Sequence, residues 1–486
     1  MGTRHYRIEL TAKGPIHIGN GHTLGKKDYF LQQGKIVVLD AAKFVAQLDG
    51  EQLADYCAFL ETSSSRGLED FLGEQGLRDE AERAVAYRLD ANLPQERGGA
   101  RLEAAEFVKD AYGCPYIPGS SFKGMLRTVL LSALIEEDPE AFLRDYPQGE
   151  EWRKNKGAAA GIERQAFRNG DPSAVNDVMR YVSVSDSEPL SPGDLVFAKK
   201  YDKFSKGDKA EHKQRIRGRA AGGVADGNDL SIYRECLRPG TVATLHVGID
   251  DRIDGYLSAP LDETRLADVF RRFDARYRAC FLSAFEFEEG AEGGAAGPGG
   301  ADDGRCRYIA QGGPLAGTRC RNHAVAGTGY CNKHQGEADA EPSETHVAQG
   351  DLVCYLGGGA DFDSKTVLNA LFARDVERLH EMSRILYAQF PTRIDDRFAG
   401  GRHRMLWGKV EAEGFHPKRM AARFKRNGAV GRAKEDHRHW MDEDLGVSPH
   451  TMKLGRVGGE LLPMGKCFLS IVAEEPHDES ERGMHR

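Results

Sequence analysis

YIPGSSFKGMLRTVLLSALI, residues 116–135, sets a proline, a glycine and two serines directly before an apolar run with helical spacing. Phe122, Met125, Leu126, Val129, Leu130, Ala133 and Leu134 recur at intervals that put a wide apolar stripe on one helix face. Ser120 or Ser121 can cap such a helix by accepting hydrogen bonds from the free amides of its first turn. Lys123 and Arg127 stand four residues apart on one flank, near the positive end. Free amides, hydroxyls and two cations together make a phosphate site. The competing reading is an ordinary capped helix with exposed basic residues.

On the N-terminal side, Tyr6, Ile8 and Leu10 alternate with polar residues, as in a half-buried strand. KIVVLD (35–40) is a second strand signal, and helical material is expected from there to about residue 102. On the C-terminal side, TVATLHVGID (241–250) reads as a strand introduced by Pro239-Gly240, and residues 265–285 have helical spacing. Residues 288–304, EEGAEGGAAGPGGADDG, form a linker composition that cannot bury a core, and a second polar linker covers 335–346. Strand-like DLVCYLGGG (351–359), a helix over 374–390 and a last strand over 467–475 follow. Strand, helix and strand on both sides of the insertion predict an α+β protein of two domains rather than a continuous parallel sheet. The expected boundaries are 1–285, an insertion over 286–346, and 347–486.

The chain has 486 residues, 40% hydrophobic and 29% charged, which suits a globular protein of two or three domains. No window approaches eighteen consecutive apolar residues, which argues against a membrane span. The N-terminus lacks a signal-peptide apolar region, and nine scattered cysteines do not suggest a disulfide framework. These features predict a cytoplasmic, reducing location. The net charge is −8, yet residues 199–219 hold nine Lys/Arg against three Asp/Glu, and residues 416–434 hold no acid at all. Two such stretches in an acidic chain point to a phosphate-rich partner.

Inside the insertion, Cys306, Cys320, Cys331 and His334 follow one another with gaps of 13, 10 and 2 residues. The Cys-x-x-His end can clamp a tetrahedral ion from one tight turn, and the two earlier thiolates complete a Cys₃His set. A glycine-rich segment this short cannot fold by burial alone, so a structural Zn²⁺ is expected over 306–334, with no open position for catalysis. The block also resembles small Cys₃His zinc modules. Three glycine loops carry basic residues. Gly19, Gly21 and Gly25 precede Lys26 and Lys27; GGGADFDSKT spans 357–366; and GRVGGELLPMGKC spans 455–467. The second is a near miss for a nucleotide P-loop, because Ser364 stands where glycine is required and Asp361 and Asp363 would repel phosphates. Together the loops point to an extended backbone-binding surface.

GPIHIGNGHTLGKKDYF, YIPGSSFKGMLRTVLL, YRECLRPGT, GGGADFDSKT and SPHTMKLGRVGGELLPMGKC occur in this order along the chain. In these stretches the sequence resembles the RAMP superfamily of CRISPR RNA-binding proteins, and within it the subunit-five family of the type III-A (Csm) effector complex. The resemblance implies ferredoxin-like, RRM-related domains, with the zinc-binding insertion lying outside the family pattern. It also implies an antiviral-defence subunit at the head of a ribonucleoprotein, capping the 3′ side of the crRNA and touching the backbone RAMP subunit. Its partners would be crRNA, target RNA and the other Csm subunits, with host nucleases as a further candidate. Carried onto this chain, His17, Gly19, Gly21, Lys26, Lys27, Ser120, Ser121, Lys123 and Arg127 become guide-RNA contacts. Lys199, Lys200 and Lys203 open the stretch where such proteins carry a thumb-like extension.

The resemblance implies a non-catalytic cap. Asp28 is the one weighed candidate for RNA cleavage, and a lone carboxylate is thin support for a metal-assisted or general-base nuclease. No spacing distinguishes His17, His22, His437, His439 and His450 from solvated histidines. The alternatives to the cap are a RAMP endoribonuclease cleaving target or guide RNA, and a zinc-dependent nucleic-acid-binding adaptor.

Overall fold

Tyr6, Ile8, Leu10 and Ala12 are buried while the residues between them are only half-buried, so the first predicted strand forms as β1 (Thr3–Ala12) with one face in the core. The computed structural model describes residues 2–62, 66–90, 103–144, 158–167, 176–209, 226–286, 352–372, 375–389, 439 and 442–474. β10 (Val242–Asp250) and β14 (Lys466–Glu474) flank β1, both antiparallel, with Ile8 opposite Leu245 and Ile471. β7 (Val182–Val184) and β11 (Leu352–Tyr355) complete a five-stranded sheet in the order β11-β14-β1-β10-β7. The helix Glu263–Cys280 packs on β11 and β14, where Tyr277 meets Tyr355 edge-on at 4.7 Å between ring centres. The helix Gly119–Glu137 packs beside it and against β7.

A second sheet has the order β13 (Glu460–Pro463), β12 (Thr451–Val457), β8 (Leu195–Phe204), β9 (Gly227–Leu237), β6 (Ala104–Phe107) and β2 (Gly19–Leu24). All its pairs are antiparallel except β6 with β9. A third sheet, β3 (Tyr29–Gln32), β4 (Lys35–Leu39) and β5 (Val85–Asp90), shares an aromatic core of Phe30, Phe44, Tyr56, Phe59 and Phe71 with the helices Gly50–Glu61 and Leu68–Gln75.

The protein is thus mixed α+β, as expected, with two differences. Helical material does not run on to residue 102: it gives way to β5, whose Leu89 is buried opposite Ile36. The division at the insertion also differs. Described residues before 287 and after 347 belong to one compact unit, not to separate domains over 1–285 and 347–486. β14 is buried along most of its length and needs a partner on each edge; it takes β1 from one side of the insertion and β11 from the other. β12 likewise lies between β13 and β8. The Cys306–His334 block, the basic stretch 416–434 and residues 210–225 lie outside the described residues. No described helix is long and apolar enough to cross a membrane.

Candidate nucleic-acid interface

Four turns meet at one end of the five-stranded sheet: the loop leaving β1, the glycine loop after β11, the turn before β10, and the turn between β13 and β14. Backbone bonds stitch them together. The Lys13 amide donates to the Lys466 carbonyl at 2.9 Å, Gly465 to Pro15 at 2.9 Å, Gly240 to Ala12 at 2.8 Å, and Gly358 to His17 at 2.6 Å. Gly357 has φ +83°, and a Cβ there would lie 2.2 Å from the His17 carbonyl oxygen, so only glycine allows these two loops to touch. The glycine-rich stretches serve first to pack loop on loop.

His17 is buried in this junction, with its ring edge toward Phe107. Its Nδ1 lies 2.7 Å from the Glu235 carbonyl oxygen, and burial holds its pKa below the usual value. The ring is therefore neutral with Nδ1–H donating, which leaves Nε2 as an acceptor 3.0 Å from where a Cβ on Gly19 would lie. Around it gather cations from four segments. Arg234 on β9 is close enough to His17, Lys200 and Lys365 to disfavour their charged forms. No carboxylate among the described residues lies within ion-pair distance of its guanidinium. Lys365 is exposed and its ammonium donates to the Gly357 carbonyl. Lys200 and Lys453 share one carboxylate, Asp202, at 3.4 and 3.0 Å. Desolvation, then the charge of Lys453, pulls the Lys200 ammonium below its ordinary pKa. The cluster keeps an excess of positive charge beside exposed glycine backbone, which is a surface for an anionic, backbone-rich ligand.

Some of the residues singled out in the sequence fall here and others do not. His17 and Gly19 do; Gly21 is an exposed position in β2 with φ +90°. Lys26 is half-buried, its carbonyl accepting the Leu68 amide. Lys27 is a correction. Its ammonium donates to the carbonyls of Phe59, Leu60 and Thr62 at 2.7–2.8 Å, which spends all three donors on a helix C-terminus. Asp28 is exposed and accepts the Gly25 amide at 2.7 Å in a turn. Among the described residues, no group with metal-ligating geometry includes it.

The helix start is a second correction. Pro118 is the N-cap, the Gly119 amide donates to Asp186 Oδ1 at 2.8 Å, and Ser120 is exposed inside the first turn. Arg127 bonds Asp177 at 3.0 Å and Glu163 at 3.3 Å and lies 4.5 Å over the Phe167 ring, so it fastens the helix Ala158–Phe167 rather than facing outward. Lys123 is half-buried beside it, and desolvation lowers its pKa. Lys199 and Lys203 are a third correction: with Lys200 they lie inside β8, not in an extension. Both are buried, Lys199 beside the Tyr233 ring and Lys203 bonded to Asp226 at 2.9 Å. Strand alternation aims them at neighbours that the local charge count does not register.

Sequence reading missed three buried polar groups. Glu235 is fully buried, and its carboxylate accepts from Lys109 Nζ at 2.7 Å, the Phe107 amide at 2.9 Å and the Tyr87 hydroxyl at 2.6 Å. Asp361 accepts from the Lys453 amide and the Tyr277 hydroxyl, and burial pushes its carboxyl up to about 7. Asp442 is enclosed by His439, His450 and Ser448. Each of these groups is assembled across long stretches of chain or between residues whose local sequence looks solvated.

The RAMP superfamily model matches residues 9–292, and the chain belongs to that superfamily. Within it, the similar curated proteins are those named "CRISPR system Cms protein Csm5". That of Streptococcus thermophilus is 26% identical over 293 residues, covering 58% of this chain and 73% of the relative. That of Mycobacterium tuberculosis (strain ATCC 25618 / H37Rv) is 24% identical over 268 residues, covering 50% of this chain and 66% of the relative. The chain thus spans about two thirds of that relative's length. The fold is similar to that of a chain in the cryo-EM structure of a Csm-crRNA-target RNA ternary complex of a type III-A CRISPR-Cas system. The TM-score is 0.52 at 15% identity, covering 96% of this chain and 100% of that one.

Proposed function

We propose that this chain is the crRNA-binding head subunit of a type III-A CRISPR effector complex, capping the 3′ side of the guide and contacting the backbone RAMP subunit. The reading makes it a non-catalytic protein whose ligand is an RNA backbone. The observation that carries it is the convergence of the His17–Gly19 loop and the 357–365 glycine loop with Arg234, Lys200, Lys453 and Lys365. Similarity to Csm5 proteins supports the choice of complex. The Cys306, Cys320, Cys331 and His334 block is proposed as a structural zinc module of that subunit.

The test is Arg234→Glu with Lys365→Glu in the assembled complex, reading guide content at rising salt. Two lost phosphate contacts on single-stranded RNA should weaken retention and flatten the log–log salt slope by roughly 1.4. An assembled complex with unchanged guide content and slope would overturn the assignment of this surface.

A further inference from the structure

Asp442 is fully buried, yet among the described residues no Lys or Arg pairs with it. Its partners are His450 Nδ1 at 2.6 Å from Oδ1, His439 Nδ1 at 3.0 Å from Oδ2, and the Ser448 hydroxyl, which donates to Oδ2 at 2.6 Å. Both imidazoles are themselves buried, and their rings stand 5.4 Å apart. A second carboxylate, Asp208, is buried and close enough to favour the charged form of His450. A carboxylate removed from water must have its charge met by neighbours. Among the described residues, that charge is met by two imidazoles and one hydroxyl, all converging on the two oxygens of a single carboxylate. A proton on one ring would serve one His–Asp pair, whereas a divalent ion would be shared by all three donors.

We propose that His439, Asp442 and His450 form a divalent-metal site of the zinc class, separate from the thiolate block of the insertion. Imidazole and carboxylate are the donors such ions take in catalytic and structural sites alike. Ligand atoms from the three residues lie within 4.8 Å of one another. Bonds of about 2.0–2.2 Å to a common ion bring donors within about 4 Å, so closure asks only small side-chain movements. The position gives the ion a task. The Ser205 amide, at the end of β8, donates to the His450 carbonyl at 3.1 Å, and β12 begins at the next residue, Thr451. An ion here pins the exit of β8 to the entry of β12, two neighbours in the six-stranded sheet. It does so beside Lys453, a member of the cation cluster.

The untagged full chain, stripped with a chelator and reloaded with Zn²⁺, is then treated with an organic mercurial that displaces zinc from thiolates. One equivalent of zinc is expected to remain, and His439→Ala/His450→Ala is expected to retain none. Complete release of zinc from the wild type by the mercurial, or retention of one equivalent by the folded double variant, overturns the proposal. A cluster that holds only a proton gives the first of these results. Should the double variant fail to fold, the wild-type Co²⁺ spectrum after mercurial treatment decides. Visible ligand-field bands without thiolate charge transfer support the site, and their absence removes it.

Discussion

Asp361 sits beneath the cation cluster with its carboxyl raised from 3.8 to about 7, chiefly because it is buried. The direction fixes the pH dependence. The folded state binds this proton more tightly than the unfolded chain, so its contribution is fully present below about pH 4. It is lost as pH rises toward 7. Between pH 5 and pH 8 the wild type should lose about 3 kcal/mol relative to Asp361→Asn, read from urea midpoints. Parallel stability profiles for the two proteins would remove the assignment. Asp361 and Asp363 were legible in the sequence only as residues that spoil a phosphate loop. Their burial arises because Tyr277 approaches Asp361 from a helix 84 residues away in sequence, while Arg378 closes over Asp363 from the helix Asp375–Gln389. Lys27 and Arg127 teach the converse. Each reads as a free cation in its own segment, and each is consumed by carbonyls or carboxylates that a distant segment delivers.

The helix Gly119–Glu137 shows how far one element could be read. Its extent and its buried residues Phe122, Leu126, Val129, Leu130 and Ala133 follow from local periodicity, because a helix repeats every 3.6 residues whatever it packs against. Its first turn did not follow. Gly119 is there because a Cβ would lie 2.4 Å from the Ser185 carbonyl oxygen and 2.5 Å from that of Val184. Gly119→Ala should therefore cost about 1–3 kcal/mol by forcing the helix off β7, while exposed Ser120→Ala should stay within about 0.5 kcal/mol. Thermal melts of the two variants check this, and equal melting temperatures would return the serine to the role of cap. The strands behave alike. β1, β10 and β14 announce themselves by alternation or apolar runs, whereas β8 was hidden because its lysines are buried in a sheet rather than solvated.

At the scale of the molecule, both sides of the insertion contribute strands to the same two sheets, and Glu286 and Leu352 belong to one unit. A chain lacking residues 288–346 and closed by a short flexible linker should fold with its melting temperature within about 4 °C of the intact chain, a change of no more than about 1–2 kcal/mol. It should still assemble with partner subunits. Failure to fold would show that the insertion supports the sheets. The sequence alone determined the α+β class, the helices Gly119–Glu137, Glu263–Cys280 and Asp375–Gln389 and the strands β1, β4, β10, β11 and β14, since these depend on periodicity within a few residues, and it carried the RAMP motifs as a resemblance. Tertiary structure alone decided that the two flanks form one body, that His17 is a neutral acceptor, and that Arg234 joins Lys200, Lys365 and Lys453. It also decided that Asp442 lies between two histidines. Each depends on which distant backbone closes over a side chain and excludes water from it, and that is set by strand pairing across the whole chain.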